Sequence, residues 1–427
     1  MACDIHMVSE EEINKQIKEK DYVIVKKENY SRLIQIAKRK PVYVGKQKLY
    51  LDGVIGHPYN STFEIRGGDL IKSEQKSKSE FLTLEDNELR DNRNLIDDQT
   101  SQKLTKDEIE TFKAEGLSGE KIIENLIENS STFKEKTHYA QAKYLKKKQQ
   151  KYLNYVKILK PTTRLLAEMY YEQGPMKICN LRIDSLSQML NMCNVRHGGK
   201  YIVVDSVFGL MVAAVLERLG SEGSIIQLYL EPGPVSSYRQ AVNALNIPSE
   251  ILEKLLFGLR LNEAMNENLN PVEWIETEVK ESCEKNTNIP MEDNRTESFE
   301  KEYLIKEKEK MIRRNKRQEE QKKAKAILKE NKMDGLLIAC KHHPKNMLLK
   351  LLEFLSPSSP FAVFCNYQTP LVECYSELKE KGNAILMNLT ESWLRNYQVL
   401  PERTHPDVSI SGSGGYLLTG IKIIPTT

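Results

Sequence analysis

The segment from Tyr201 to Gly220, YIVVDSVFGLMVAAVLERLG, has the residue types of a strand, a loop and a helix that together bind a nucleotide. A β-branched run ends in Asp205, and an apolar helical pattern follows the loop. A cofactor loop at this place is rich in glycine, because its backbone approaches the ligand and the helix N-terminus faces it. Here one glycine remains, Gly209, which indicates either an unusual cofactor site or a former one.

The side chains around this loop favour a former site. Where the backbone of an S-adenosylmethionine-binding fold lies against the cofactor, Val207 and Phe208 would fill the space. The next strand offers Glu231 to hold ribose hydroxyls, and the fourth strand ends in Cys340 and Lys341, without a carboxylate for the adenine amino group. We therefore predict a degenerate loop and no cofactor on this chain. The loop residues are Asp205, Val207, Phe208 and Gly209.

A run of lysines forms the second candidate site. No Asp or Glu lies between Lys136 and Ala167, and within that window Lys143, Lys147 and Lys151 recur at i, i+4 and i+8. On a helix these three would share one face and repel each other, a repulsion that a polyanion would offset. The pattern predicts nucleic-acid contact, and a solvated helix face stays open as the alternative. The group comprises Lys143, Tyr144, Lys146, Lys147, Lys148 and Lys151.

Other reactive side chains give weaker signals. A basic cluster from Arg313 to Lys323 contains two glutamates, and His342-His343 lacks metal-ligand spacing. The glycine-rich run 411–415 lies between apparent strands, which favours a turn over a phosphate cradle. The seven cysteines include no CxxC pair, which predicts reduced, mostly buried thiols in an intracellular protein rather than a zinc site.

Length and composition bound the elements that must position these residues. A chain of 427 residues predicts two or three domains, and 40% hydrophobic residues can form their cores. The net charge of +3 does not indicate what kind of partner the protein binds, so any such indication has to come from the local distribution of charge. The polar N-terminus has no signal-peptide core, and no run of ~18 apolar residues exists, so we expect no transmembrane helix and no membrane partner.

The first part of the chain reads as a polar tail (1–20), a small antiparallel β-barrel (21–80) and a charged linker with a helical connector (81–160). Capping-box patterns begin at Thr105 and Thr132. The helix after Thr132 is predicted to run to about Ile158, because Pro161 interrupts it.

From residue 161 to 427 helical and strand patterns alternate, which is typical of an α/β fold. The order breaks near Arg260, where residues 262–310 are crowded with charged and polar side chains and predict a disordered insertion. A basic helix follows, after which the alternation resumes. The sequence therefore predicts an α/β protein with an N-terminal small β-barrel, a helical connector and a C-terminal Rossmann-like domain.

Several longer motifs resemble one known family, the non-catalytic subunit of the eukaryotic tRNA (adenine-N1) methyltransferase that modifies position 58 in the T-loop. They include YLDGVIGHPY (50–59), DNRNLIDDQTSQKLT (91–105), KYLKKKQQKY (143–152), PFAVFCNYQTPLVECY (360–375), ESWLRNYQVLPERTHP (391–406) and SGSGGYLLTG (411–420). The resemblance covers most of the chain. It implies a methyltransferase-like fold, a heterotetramer of two copies of this chain with two catalytic subunits, S-adenosylmethionine bound by the catalytic subunit, and residence in the nucleus.

The resemblance also implies which residues contact tRNA. They are Asn92, Arg93, Asn94, the lysine group, Gln173, Lys177, Arg317, Lys341, Lys379, Lys381, Gln398, Arg403 and His405. Two other functions stay open on the residues alone. One is an active methyltransferase with an atypical cofactor loop, and the other is an assembly scaffold whose basic helix contacts an acidic protein.

Overall fold

A computed structural model describes residues 16–27, 30–45, 47–66, 68–73, 102–114, 117, 119–133, 136–152, 155–230, 238–265, 296–399, 404–408, 412 and 414–424. The chain divides into two compact units, Met1–Pro161 and Thr162–Thr427. No helix within the described ranges combines the length and apolar composition that a membrane span requires.

The first unit is built on an antiparallel β-sheet. Its strands are β1 (Tyr22–Lys27), β2 (Tyr30–Gln35), β3 (Pro41–Val44), β4 (Gln47–Tyr50), β5 (Thr62–Arg66), β6 (Asp69–Lys72) and β7 (Tyr155–Leu159). Five of them form one sheet in the order β2-β1-β7-β5-β6, and β3 pairs with β4 in a separate hairpin. Val44 and Leu49 of the hairpin pack into the same core as Val23, Phe63 and Val156 of the sheet.

Strand β7 corrects the sequence analysis. The helix predicted to reach Ile158 ends at Tyr152, and Tyr155–Leu159 pairs antiparallel with both β1 and β5 at the centre of the sheet. Buried Val156 and Ile158 alternate with exposed Lys157, which is the period of a strand. The lysine-rich helical pattern before it concealed this change of period. The described strands form an open sheet and a hairpin, so the predicted β-barrel is not confirmed.

Three α-helices occur among the described residues of the first unit, α1 (Lys106–Ala114), α2 (Gly119–Glu128) and α3 (His138–Tyr152). Their apolar faces share a core around Ile109, Leu126 and Leu145. The capping box at Thr105 is confirmed, because Thr105 N–H donates to the Glu108 carboxylate at 2.8 Å and Glu108 N–H donates to Thr105 Oγ1 at 3.3 Å. The helix start predicted at Thr132 is wrong. Helix α3 begins after Thr137, whose hydroxyl accepts from Ala140 N–H at 3.4 Å.

The second unit has a seven-stranded sheet in the order β10-β9-β8-β11-β12-β16-β13, and β14 and β15 form a short ribbon. The strands are β8 (Lys200–Asp205), β9 (Ser224–Tyr229), β10 (Leu256–Arg260), β11 (Gly335–Ala339), β12 (Pro360–Cys365), β13 (Ala384–Glu391), β14 (Tyr397–Gln398), β15 (His405–Pro406) and β16 (Tyr416–Lys422). The first five of the sheet are parallel, and β16 runs antiparallel to β12 and β13. Strands β8, β9 and β11 are almost entirely buried, as expected of parallel strands covered on both faces.

Nine helices accompany this sheet among the described residues. They are α4 (Thr163–Gln173), α5 (Ile183–Met192), α6 (Leu210–Leu219), α7 (Gln240–Ala244), α8 (Ser249–Leu255), α9 (Leu261–Met265), α10 (Thr296–Lys329), α11 (Lys345–Leu351) and α12 (Gln368–Lys381). The predicted α/β order is therefore confirmed for this part of the chain.

The predicted disordered insertion, 262–310, is wrong at both ends. Helix α9 continues to Met265, and α10 begins at Thr296; residues 266–295 lie outside the described residues. Ala264, Ala324 and Leu328 are fully buried in the core and anchor the two helices to it. The lysines and glutamates that suggested disorder are also strong helix formers, so charged composition alone does not separate an exposed helix from an unfolded chain.

Candidate functional site

The loop after β8 is held from inside by Asp205. One carboxylate oxygen accepts the N–H groups of Val207 at 2.7 Å and Gly209 at 3.1 Å. The other accepts those of Met211 at 3.0 Å and Val212 at 3.2 Å in the first turn of α6. Burial raises the pKa of Asp205 to about 6 while the four N–H donors lower it, so the group is charged at neutral pH.

The two bulky residues of the loop are packed into the protein. Val207 is fully buried, and the Phe208 ring lies 6.0 Å from the Tyr170 ring between centroids. Phe208 has a left-handed backbone with φ +58°, an uncommon conformation for a large side chain. The Phe208 carbonyl accepts the N–H of Ala241 in α7 at 3.0 Å. The loop is therefore closed against α4 and α7.

Gly209 is retained for packing. Its φ is +76°, and a Cβ atom there would lie 2.4 Å from the carbonyl oxygen of Tyr238. Any larger residue would strain the backbone and collide with the start of α7. The close approach of helix and loop accounts for this glycine without a cofactor.

The neighbouring strand ends are also closed or basic. Tyr229, the last residue of β9, accepts a 2.7 Å hydrogen bond on its hydroxyl from Arg317 of α10, whose guanidinium lies 5.9 Å from the ring centroid. Buried Cys340 follows β11, and exposed Lys341 comes next. Glu231, the predicted ribose-binding acid, lies outside the described residues.

These groups surround the crevice where an open α/β sheet binds ligands, outside the carboxyl ends of β8 and β11 at the change in strand order. The register pairs Asp205 with Ala339, and Ser206 N–H donates to the Ala339 carbonyl at 3.0 Å. The amides of Ser206, Val207 and Gly209 in the loop already have acceptors within the chain. The residues described at this crevice do not fit S-adenosylmethionine.

Helix α3 separates an apolar face from a basic one. Leu145 and Tyr152 are buried in the helical core, whereas Lys143 and Lys147 are exposed. Neither of these two lysines has an ion-pair partner among the described residues. The side chains of Lys146 and Lys151 lie outside those described, so the full basic face stays a prediction. Two like charges one turn apart without a counter-charge favour an anionic ligand.

Tyr144 and Lys148 have contacts of their own in the helical part of the first unit. The Tyr144 ring packs 5.5 Å from the Phe133 ring, with the ammonium groups of Lys136 and Lys148 each 5.2 Å from its centroid. The Lys148 ammonium is also 5.9 Å from the ring of Tyr152. These cation–π contacts account for both side chains without RNA stacking.

The predicted tRNA residues of the second unit fall in separate places. Gln173 ends α4, and exposed Lys177 lies in a short 3₁₀ helix, Pro175–Ile178. Lys341 is close enough to Cys179 for its charge to lower the pKa of that thiol, although burial dominates and raises it to about 11. Lys341, which directly follows β11, therefore borders the crevice, whereas Lys177 is an exposed lysine two residues before Cys179.

Two predicted contacts lie at the end of α12. Three lie in the arm, the name we give residues 392–415 between β13 and β16. Lys379 and Lys381 are exposed, and Lys381 pairs with Glu377 at 3.0 Å. In the arm the structure brings Gln398 and His405 together across β14 and β15, with Nε2 atoms 3.2 Å apart. Asn92, Arg93, Asn94 and Arg403 lie outside the described residues.

Two polar groups that position these elements were not predicted from the sequence. Glu320 of α10 accepts hydrogen bonds from Arg239 and from the N–H of Gly258 in β10. The second bond gives an acceptor to a backbone donor of this edge strand. Arg182, only 5% exposed, joins α5 to the base of the arm. An arginine directly before a helix was the available signal, but its partner Ser392 is distant in sequence.

The alternative chemistries gain little support from the structure. Five cysteines are free, and Cys193, Cys340 and Cys374 are among the buried ones, as predicted; Cys3 and Cys283 lie outside the described residues. No cluster of metal-ligating residues occurs in the described ranges. His343 is exposed and pairs with Glu373 at 3.3 Å, which gives it a surface role.

Comparison with known proteins agrees with this picture. Residues 16–300 match the Gcd10p family. A protein of Mus musculus named tRNA (adenine(58)-N(1))-methyltransferase non-catalytic subunit TRM6 is 41% identical over 95% of this chain and 88% of its own length. The protein of the same name in Dictyostelium discoideum is 32% identical over 95% of this chain and 79% of its own length.

Among solved structures, a SAM-dependent O-methyltransferase from Thermotoga maritima superposes with a TM-score of 0.51 at 12% identity. The superposition covers 97% of each chain. At that identity the likeness concerns the fold alone, and it supports the predicted methyltransferase-like Rossmann fold.

Proposed function

The chain belongs to the Gcd10p family, and on that premise we propose that it is a non-catalytic, tRNA-binding subunit of a tRNA (adenine-58-N1) methyltransferase. It holds the tRNA, and a catalytic partner subunit binds S-adenosylmethionine and transfers the methyl group. The relatives named as non-catalytic subunits support this division of labour.

The packed loop at the end of β8 carries the proposal. Val207 is in the core, Phe208 is held against Tyr170, and the amides of the loop and the first turn of α6 donate to Asp205. A cofactor could accept hydrogen bonds from these amides only after the loop had unpacked and released them from Asp205. The fold is therefore retained as a scaffold, and adenine selection and methyl transfer belong to the partner.

We expect exposed lysines at several separate positions to bind the tRNA. The exposed cations include Lys143 and Lys147 on α3, Lys177 after α4, Lys341 after β11 and Lys379 at the end of α12. Phosphate contacts of this kind fix position and orientation without reading sequence. A T-loop adenine is stacked inside the tRNA elbow, and its extrusion costs roughly a few kcal/mol. Distributed contacts with the phosphate backbone would offset that cost.

The same proposal covers assembly and location. The complex contains two copies of this chain and two catalytic subunits, and it works in the nucleus. These statements rest on the family and await direct measurement by mass photometry of the purified complex and by imaging of the tagged chain.

The decisive experiment measures methyl transfer to unmodified tRNA by this chain, by the partner, and by both together, with S-adenosylmethionine binding followed by calorimetry. We expect activity only in the mixture and no heat of binding with this chain alone. Cofactor binding or methyl transfer by the isolated chain would establish the alternative, an active methyltransferase with an atypical loop.

A second measurement separates RNA binding from a protein scaffold. Changing Lys143 and Lys147 to Ala should weaken tRNA binding and lower the salt slope of log K by about 1.4, at ~0.7 per released counterion. Lys26→Ala with Lys40→Ala removes the same charge from exposed positions outside the proposed interface and is the matched control. Equal slopes in the two double variants would favour the scaffold.

A further inference from the structure

The arm is anchored at its base by a buried ionic group. Strand β13 ends at Glu391 and β16 begins at Tyr416, and these two residues pair across the antiparallel strands. The arm connects the two strands beyond this pair. Directly at this point the Arg182 Nη2 donates to the carbonyl of Ser392 at 2.8 Å. The same guanidinium is bound by Asp184 in two places, at 3.0 Å from Nε and 2.8 Å from Nη2.

The far end of the arm returns to the same place. Ser185 Oγ lies 3.0 Å from Ser392 Oγ and donates to the Gly414 carbonyl at 3.3 Å. A Cβ atom on Gly414 would lie 2.3 Å from Arg182 Nη2 and 2.7 Å from the Ser392 carbonyl oxygen. The start and the end of the arm therefore meet on the N-terminus of α5, with the arginine between them.

The positive charge of Arg182 strengthens the hydrogen bonds that hold the two ends of the arm together. The residue is 5% exposed, and an arginine is seldom buried unless each of its donors is used. Asp184 raises the pKa of Arg182 through a hydrogen bond and its charge, against the effect of burial. A bidentate pair fixes the guanidinium plane, so the direction of the bond to Ser392 is fixed with it.

We infer that Arg182 is a positioning residue, which orients the arm so that Gln398 and His405 meet RNA in a fixed geometry. This inference rests on the proposed function, because it assigns the arm a tRNA contact. The arm displays large exposed side chains as well, with Trp393 69% and Tyr397 58% exposed. None of the described residues 392–399 and 404–408 is buried, so we expect their orientation to depend on the base of the arm.

The test is a double-mutant cycle in the full chain with unmodified tRNA. Arg182→Gln should weaken binding about fivefold to tenfold, which corresponds to the loss of about one positioned polar contact. Gln398→Ala with His405→Ala should weaken binding by a similar factor. Combined with Arg182→Gln the arm changes should add nothing, because the arm is already released. Lys143→Ala with Lys147→Ala should still multiply the effect.

A second variant separates positioning from misfolding. Gly414→Ala leaves the arginine intact and pushes the arm away from it by steric contact, so it should reproduce the loss of affinity. Amide exchange should rise in residues 392–399 and 404–408 of both variants and stay unaltered in β8 and β11. Unaltered exchange in the arm, or an Arg182→Gln effect that multiplies with the arm changes, would overturn the inference.

The cycle also distinguishes the inference from the proposed function. If the lysine variant loses tRNA affinity and the arm variant keeps it, the RNA-binding role stands and the positioning role is wrong. If every variant binds tRNA like the unmodified chain, the proposed grip is wrong, and the positioning role falls with it.

Discussion

Removing the carboxylate of Asp205 tests whether the loop after β8 is held from inside the chain. In Asp205→Ala, four buried N–H groups lose the acceptor that they now reach at 2.7 to 3.2 Å. In Asp205→Asn one oxygen remains for two of them, and the side-chain amide turns its own donors toward the other two. Both variants should therefore be destabilised, Ala more than Asn.

The magnitude follows from the number of donors. A buried N–H without an acceptor costs about 1–3 kcal/mol. If water enters and serves two of the four, Asp205→Ala should cost the second unit about 4 kcal/mol, and Asp205→Asn about 2–3 kcal/mol. Asp334→Ala is the matched control, because its carboxylate accepts a single N–H, that of Lys200 at 2.8 Å, at the other end of β8. Its expected cost is about 1 kcal/mol.

Amide exchange is the suitable measurement, because a chain of two compact units does not guarantee a two-state transition. A local loss of about 4 kcal/mol raises the opening equilibrium, and with it the exchange rate, about a thousandfold at Val207, Gly209, Met211 and Val212. The reasoning is refuted if these amides exchange no faster in Asp205→Ala than in Asp334→Ala.

Three further outcomes are expected. Gly209→Ala should destabilise the second unit by about 2 kcal/mol more than Gly198→Ala, since both have φ +76° but only the first would meet a neighbouring carbonyl; equal urea midpoints would contradict this. Ile158→Ala should cost the first unit about 2–4 kcal/mol in urea unfolding, whereas Lys157→Ala on the exposed side of β7 should change little; similar losses would contradict a central strand. Burial raises the pKa of Cys374 to about 12, so its thiol should resist iodoacetamide at pH 8 until urea unfolds the chain, and rapid labelling of the folded protein would show otherwise.

The parallel sheet was predictable because its strands are continuous apolar runs. Strands β8 and β11 are buried on both faces, and their short apolar runs, together with the amphipathic helical patterns between them, predicted the α/β order. Strand β7 was not predictable in the same way. It is five residues long, follows a helix without a strong breaker, and owes its place to strands β1 and β5 far earlier in the chain.

In the candidate site, too, the features that depend on local sequence were predictable, and those that depend on tertiary contacts were not. Glycine loss at Val207 and Phe208 is visible in the sequence, and the structure supplies its physical meaning: Val207 is buried in the core and half-buried Phe208 packs near the Tyr170 ring. Tyr144 and Arg317 were read as RNA contacts, yet each has internal partners that no local pattern announces. Arg182 was missed because its role comes from Ser392, 210 residues away, and only the tertiary fold brings the two together.

The late arrival of β7 has a consequence for synthesis of the chain. The two hairpins β1–β2 and β5–β6 emerge first from the ribosome, but neither can complete the sheet until residues 155–159 follow them. Until then β1 and β5 expose open edges, which are templates for wrong strand pairing and aggregation. High contact order of this kind slows folding. The sheet of the first unit can therefore be completed only after about 160 residues have been translated, and until then its open strand edges favour wrong pairing.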